Sequence, residues 1–153
     1  MTLYTYTVTI ENVERNVLSF ANPDDAFNKG LVGKSVIGYL KETDKGVTSE
    51  NIVYNVDFVV LFKRTIKTAA LASVDLMKSA TQQQNGFVYI IDQRSKDQNE
   101  TKARDILGSF EVTGGQLNPD SFQFNPNYQI ISTDGLFRLP DNFAKALMNE
   151  IAE

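Results

Sequence analysis

Carboxylates are the main side chains that could do chemistry in this chain, because it contains neither His nor Cys. That absence excludes imidazole bases, thiolate nucleophiles, disulfides and the common zinc and haem sites. Asp92 is the leading candidate, since it ends the apolar segment from Phe87 to Ile91 and strand ends deliver side chains to clefts. Arg94 lies two residues on, on the same face of an extended chain. An aspartate placed in this way can act as a base or as a magnesium ligand.

Asp105 and Glu111 lie near the ends of the next predicted strand and are candidates to join Asp92 in an acidic cluster. Spacing does not show that the three converge, and the sequence favours a structural Asp92 that is held by Arg94 or by backbone N–H groups. The glycine spacing matches no phosphate-binding motif. We therefore assign no catalytic residue, no metal ligand and no cofactor, and Asp92, Asp105 and Glu111 are kept as candidates only.

Length and composition predict one domain over residues 1–153 that folds without staples, since 42% of the residues are hydrophobic. The N-terminus has no basic segment followed by an apolar run of the kind that directs export. The longest apolar run, Phe58 to Phe62, is far shorter than the roughly 20 residues that cross a bilayer. These features predict a cytoplasmic protein that does not enter membranes.

Charge is distributed unevenly along a chain whose net charge is −4. Residues 1–104 carry 12 acidic and 13 basic side chains, whereas residues 105–153 carry seven acidic and two basic ones. Binding to nucleic acid requires clustered Lys and Arg, so this composition argues against it. An acidic surface instead attracts a basic protein partner and speeds the encounter.

Hydrophobic periodicity predicts an α+β fold: a mostly antiparallel sheet of five to seven strands, with a central helical segment and a C-terminal amphipathic helix packed on one side. The hairpin strands Leu3 to Ile10 and Val17 to Phe20 should be joined by a turn at 14–16. A helix should begin after the cap Asn55 and run to about 84, as one bent helix or two, ending at Gly86. Phe87 to Ile91 is apolar throughout, which predicts a central strand buried on both faces. Residues 95–104 are almost entirely polar and predict a surface loop.

An aromatic stretch near the C-terminus is interrupted by the corner Asn125-Pro126-Asn127. Phe122, Phe124, Tyr128 and Ile130 all have even numbers, so a corner that preserves sidedness places them on one buried face. The amides on the outer face are then the predicted binding residues: Gln123, Asn125, Asn127 and Gln129.

The leading functional hypothesis is a non-enzymatic protein-binding module whose C-terminal third is acidic, of the kind found in inhibitor, immunity, phage accessory or secretion accessory proteins. One alternative is a small carboxylate-dependent enzyme, assisted by Mg²⁺, that uses Asp92 and closes the loop 95–104 as a lid. The other is a self-assembling structural subunit that pairs through the Thr-rich strand Leu3 to Ile10. The sequence leaves the oligomeric state open.

Overall fold

The computed structural model describes residues 1–96 and 100–152. Its contacts group into two compact units, the first made of residues 1–62 with the chain from 147 onward, and the second of residues 63–146. The α+β class and the C-terminal helix are confirmed, since the described residues include four α-helices and ten strands in antiparallel pairs. These strands form two four-stranded sheets and one two-stranded sheet instead of one larger sheet. The predicted single domain over residues 1–153 stays a prediction.

The sheet of the first unit has the strand order β1-β2-β3-β4. Its elements are β1 (Tyr4–Ile10), β2 (Val13–Ser19), helix α1 (Pro23–Lys29), a 3-10 turn (Gly33–Ser35), β3 (Val36–Leu40) and β4 (Ile52–Tyr54). The turn predicted at 14–16 is wrong, because the chain reverses at Glu11 and Asn12, whose φ angles are 52° and 67°. Two left-handed residues make a two-residue hairpin turn, so β2 begins at Val13, four positions before the predicted start at Val17.

The central helical segment begins after Asn55, as predicted, and is divided into two helices, the alternative to one bent helix that the sequence had left open. Helix α2 (Val56–Leu71) follows Asn55, and α3 (Val74–Gln83) is capped by Ser73, whose Oγ accepts a hydrogen bond from the Leu76 N–H at 3.2 Å. The segment is therefore two helices. Gly86 was expected to end it, but Gln84 does so with φ 65°, and Gly86 already begins the next strand.

The sheet of the second unit is organised around β6, which pairs with β5, β7 and β8. Its elements are β5 (Gly86–Ile91), β6 (Ile106–Thr113), β7 (Gln116–Leu117) and β8 (Gln123–Phe124), followed by the pair β9 (Ile131–Ser132) and β10 (Gly135–Leu136) and by helix α4 (Asp141–Ala152). A 3-10 turn (Ala103–Asp105) precedes β6. Part of the loop predicted at 95–104, residues 97–99, lies outside the described residues.

Strand β5 contradicts the prediction of a central strand buried on both faces. Val88 and Ile90 are buried, but Phe87 and Tyr89 are 53% and 55% exposed. Among the described strands, β5 pairs with β6 alone and so lies at an edge of the sheet. An apolar run predicts a strand that is buried on both faces, but the face of β5 that carries Phe87 and Tyr89 is exposed to solvent.

Each unit has a core of fully buried apolar side chains. Leu18, Ile37 and Phe58 are fully buried in the first unit, and Leu107 and Phe110 in the second. Within the first unit, the rings of Phe20 and Phe62 both lie about 6 Å from that of Phe58, with centroid separations of 6.0 and 5.9 Å. Aromatic side chains bury a large apolar area, so these residues anchor the sheets that position the sites below.

Candidate functional site

Arg94 is the centre of a buried charged network in the second unit. Its Nε donates to Asp105 Oδ1 at 2.8 Å, and its Nη1 donates to the carbonyl oxygens of Ile130 and Gly135 at 3.0 and 3.2 Å. Its Nη2 donates to the carbonyl oxygens of Arg104 and Gln129. A guanidinium has five N–H groups, and all five are used in these bonds. Arg94 therefore joins three segments of chain and has no donor left for a ligand.

Asp92 is held by donors from three other parts of the second unit. Its Oδ1 accepts from the Arg94 N–H at 2.9 Å, its Oδ2 accepts from the Tyr128 hydroxyl at 2.5 Å, and the Arg138 N–H lies 3.1 and 3.2 Å from the two oxygens. Burial raises the pKa of Asp92, although these hydrogen bonds and Arg94 act in the opposite direction. Burial and the neighbouring Asp92 carboxylate also raise the pKa of Tyr128, so its hydroxyl remains the donor.

Asp105 faces the same guanidinium as Asp92. Asp92 Oδ1 lies 3.8 Å from Arg94 Nε, while Asp105 Oδ1 makes the shorter contact. The Asp105 backbone carbonyl also accepts from the Asp92 N–H at 2.7 Å. The buried Oδ2 of Asp105 makes no hydrogen bond within the described part of the chain. The structure thus brings two of the three candidate carboxylates together, with a cation of the protein itself between them.

Glu111 does not join Asp92 and Asp105. It is exposed near the far end of β6, opposite Phe87. Six positions separate it from Asp105, which in an extended strand is about 20 Å. No group of three or more potential metal ligands occurs within residues 1–96 and 100–152. A cavity of about 450 Å³ lies beside Asp92 and Asp105. The Oδ1 atoms of both residues face Arg94, so the arrangement is suited to holding the chain in place.

Of the four amide residues that were predicted to bind a partner, Asn125 makes hydrogen bonds within the protein and the other three have exposed side chains. The Asn125 Nδ2 donates to the carbonyl oxygens of Ala103 and Ile106 at 2.7 and 2.9 Å, and its Oδ1 accepts from the Asn127 N–H at 3.1 Å. Asn125 therefore fixes the corner and is not available to a partner. Gln123, Asn127 and Gln129 are exposed, as the alternation predicted.

Phe87 and Tyr89, which the sequence did not indicate as binding residues, are exposed on one face of the sheet of the second unit. Tyr89 pairs with Ser109, and Ser109 pairs with Gln123, so the three form a row across β5, β6 and β8. Phe87 lies beside this row, opposite Glu111. A groove of about 270 Å³ next to Tyr89 is lined by Ser109 and Gln123 among others. We call Phe87, Tyr89, Ser109, Glu111 and Gln123 the outer face.

Comparison with known proteins places the chain in no family: no family model, no curated protein and no solved structure matches it. Within the described residues, no helix combines the length and the apolar character that a membrane crossing requires. The candidate sites are therefore the buried network around Arg94 and the exposed outer face, both of which belong to the second unit.

Proposed function

We propose that the protein is a non-enzymatic binding module that contacts a partner protein through the outer face. The observation that carries the proposal is the exposure of Phe87 and Tyr89, which are 53% and 55% exposed on the same side of an edge strand. Aromatic side chains are enriched at the centres of interfaces, where they provide a large contact area. Two such residues two positions apart form the core of a contact patch.

The groove beside Tyr89 provides a place for a side chain of the partner. Its volume of about 270 Å³ is sufficient for one aliphatic or aromatic side chain. Gln123 lines it and offers both a donor and an acceptor, which suits a backbone or side-chain amide of the partner. Apolar contact at the centre with polar groups around it is the usual arrangement of a protein interface.

Charge favours a partner with basic groups. Glu111, the charged member of the outer face, is exposed next to Phe87 in the register of β5 and β6, so the outer face itself carries a negative charge. Such a surface raises the association rate with a basic partner, and this effect weakens as salt is added. Within this class, an inhibitor that covers a basic surface of an enzyme is the role that the charge fits best.

The geometry at Asp92 gives the enzyme alternative little support. A base or magnesium ligand needs an oxygen that faces the substrate or the ion, whereas both Asp92 oxygens accept hydrogen bonds from the protein. Arg94, which could otherwise bind an anion, uses all its donors internally. These groups support the sheet that carries the outer face.

Affinity purification from the source cells tests the proposal. The bait is the full chain, and the variant is F87S/Y89S, which removes the exposed rings without touching a buried residue. Phe27→Ser is the matched control, because Phe27 is a 91% exposed aromatic in the first unit. We expect a partner in stoichiometric amount with the wild type and the control, and at least a tenfold loss with F87S/Y89S. Equal recovery with all three baits, or no stoichiometric partner, would contradict the proposal.

A further inference from the structure

Strand β1 is an edge strand whose outer backbone groups are open to pairing. Among the described residues it pairs with β2 alone. Because the hairpin turn consists of Glu11 and Asn12, Ile10 and Val13 form the first hydrogen-bonded pair, and the even positions of β1 bond toward β2. The N–H and C=O groups of Thr5, Thr7 and Thr9 therefore point away from the sheet, along its free edge.

Nothing in β1 protects this edge. Proteins block exposed edges with charged side chains, with proline or with a β-bulge. Residues 1–10 contain no charged side chain and no proline, and the register of β1 with β2 runs without a shift from Tyr4 to Ile10. The edge is seven residues long and regular, which makes it a good template for another strand.

Within residues 1–96 and 100–152, the outer half of the hairpin also has no third strand beside it. β3 pairs only with Val17, Leu18 and Ser19 of β2, so residues 7–16 form a two-stranded ribbon. A two-stranded hairpin is only marginally stable in water. Ile10 and Val13 at its tip are 52% and 49% exposed, and a further strand would cover part of this apolar surface.

We propose that the strand which completes this edge is β1 of a second copy of the chain, antiparallel, with a twofold axis at Thr7. In this register Thr5 faces Thr9 of the second copy, and Thr7 faces its own equivalent. These three hydrogen-bonded pairs supply six backbone hydrogen bonds. Tyr6 faces Val8 between these pairs, and Tyr4 faces Ile10 beyond them at each end. Threonine pairs and aromatic pairs with β-branched residues are the favourable cross-strand pairs, so the sequence of β1 is complementary to itself.

Self-pairing meets no electrostatic obstacle, because no charged residue lies opposite another in this register. The contact belongs to the first unit and uses none of the residues of the outer face. It is therefore independent of the proposed partner-binding function, and either can fail while the other holds.

The mass of the full chain as a function of concentration is the first test, measured by light scattering after size-exclusion chromatography. We expect a dimer that dissociates on dilution. Thr7→Lys places two ammonium groups against each other at the axis, so we expect its dissociation constant to rise at least tenfold. Thr43→Lys adds the same charge in an exposed turn of the first unit and should dimerise like the wild type. A monomer up to several hundred micromolar, or equal dimerisation of both variants, would overturn the proposal.

Single cysteines test the register, since the chain has no other thiol. Facing residues of a hydrogen-bonded antiparallel pair have Cα atoms about 5.5 Å apart, within the reach of a disulfide. Mild oxidation should therefore link Thr7→Cys into a covalent dimer. Thr5→Cys should stay unlinked, because its equivalent lies four positions along the partner strand, roughly 13 Å away. Linkage of Thr5→Cys in preference to Thr7→Cys would overturn the register, and circular dichroism of each variant checks that it is folded.

Discussion

The two units contain the same arrangement of hydrogen bonds around an asparagine, which we call the frame. Each residue of the first frame corresponds to the residue 70 positions later in the second. In the first unit, the Asn55 Nδ2 donates to the carbonyl oxygens of Gly33 and Val36 at 2.8 and 3.0 Å. In the second, the Asn125 Nδ2 makes the same bonds to Ala103 and Ile106 at 2.7 and 2.9 Å. Each asparagine thus ties the end of one strand to the 3-10 turn that precedes the neighbouring strand.

The strands around each asparagine also correspond. Gly38 pairs with Tyr54 in the first unit, and Gly108 pairs with Phe124 in the second. A side chain at either glycine would collide with the facing strand, because a Cβ would lie 2.1 Å from the Val53 carbonyl oxygen at Gly38 and 2.7 Å from that of Gln123 at Gly108. The strand before each 3-10 turn carries a register shift, between Leu18 and Ser19 or between Ile90 and Ile91.

The two units differ in the chemistry that closes this frame. Ser35 Oγ, in the 3-10 turn of the first unit, lies 3.2 Å from the Ser19 Oγ and donates to the Val32 carbonyl oxygen at 2.8 Å. The equivalent position in the second unit is Asp105, which binds Arg94. The first unit has helix α1 in this connection, whereas in the second unit Arg94 binds four backbone carbonyl groups, those of Arg104, Gln129, Ile130 and Gly135. One backbone frame can thus be completed either by hydroxyl groups or by a buried ion pair.

The largest expected effect comes from removing the cation that distinguishes the second unit. Arg94→Met leaves Asp92 and Asp105 buried without their positive partner, so we expect the free energy of unfolding to fall by about 3–5 kcal/mol. Denaturant titration measures it. Arg15→Met is the control, because Arg15 only stacks on the Tyr39 ring at 4.5 Å and should cost about 0.5–1 kcal/mol. Similar losses for both variants would show that the Arg94 network does not stabilise the second unit.

The glycines of the shared frame should give the next largest effect. Gly38→Ala forces β4 away from β3, and we expect a loss of about 3 kcal/mol in the free energy of unfolding. Gly108→Ala should cost less, about 2 kcal/mol, because its closest contact is longer and the Phe122 ring beside it can move. Gly46→Ala is the control, since its Cβ would meet nothing within 4 Å. A neutral Gly38→Ala would contradict the close approach of β3 and β4.

The smallest expected effect tests whether the two asparagines are equivalent. Asn55→Ala and Asn125→Ala each remove two donors to backbone carbonyls, and we expect each to lower the free energy of unfolding by about 1–2 kcal/mol. Asn85→Ala removes one exposed contact of 3.3 Å and should cost less than about 0.5 kcal/mol. If Asn55→Ala or Asn125→Ala lowers the free energy of unfolding no more than Asn85→Ala does, the two asparagines do not stabilise their units equally, although their hydrogen bonds correspond.

Much of the local structure was predictable from the sequence, because it depends on neighbouring residues. Asn22 caps α1 by accepting from the Asp25 N–H at 2.8 Å, Ser73 caps α3, and the glycines Gly114 and Gly115 turn the chain with φ angles of 58° and 79°. The strict alternation of β1 and the corner at Pro126 also follow from short-range preferences. In each case, the residues that decide the structure lie within a few positions of one another.

The sites depended on contacts between distant residues and were predicted only in part. Nothing within β5 shows that Phe87 and Tyr89 face outward, because a run of apolar residues has the same pattern at an edge and at the centre of a sheet. Asn125 was predicted to touch a partner, but its amide binds Ala103 and Ile106, which are about 20 positions earlier. The repeated frame was equally hard to see in the sequence, since the segments that form it share only one glycine position, one asparagine position and an apolar pattern.

The sequence by itself determined the α+β class, the helix starts, the uncharged self-complementary strand β1 and the exclusion of His and Cys chemistry. These properties depend on composition and on periodicity along a single segment. Only the tertiary structure decided which candidate carboxylates meet, that a guanidinium lies between them and which aromatic residues remain exposed. Those outcomes depend on strand order and register. They involve hydrogen bonds between residues 35 to 41 positions apart, which produce no periodic pattern in the sequence.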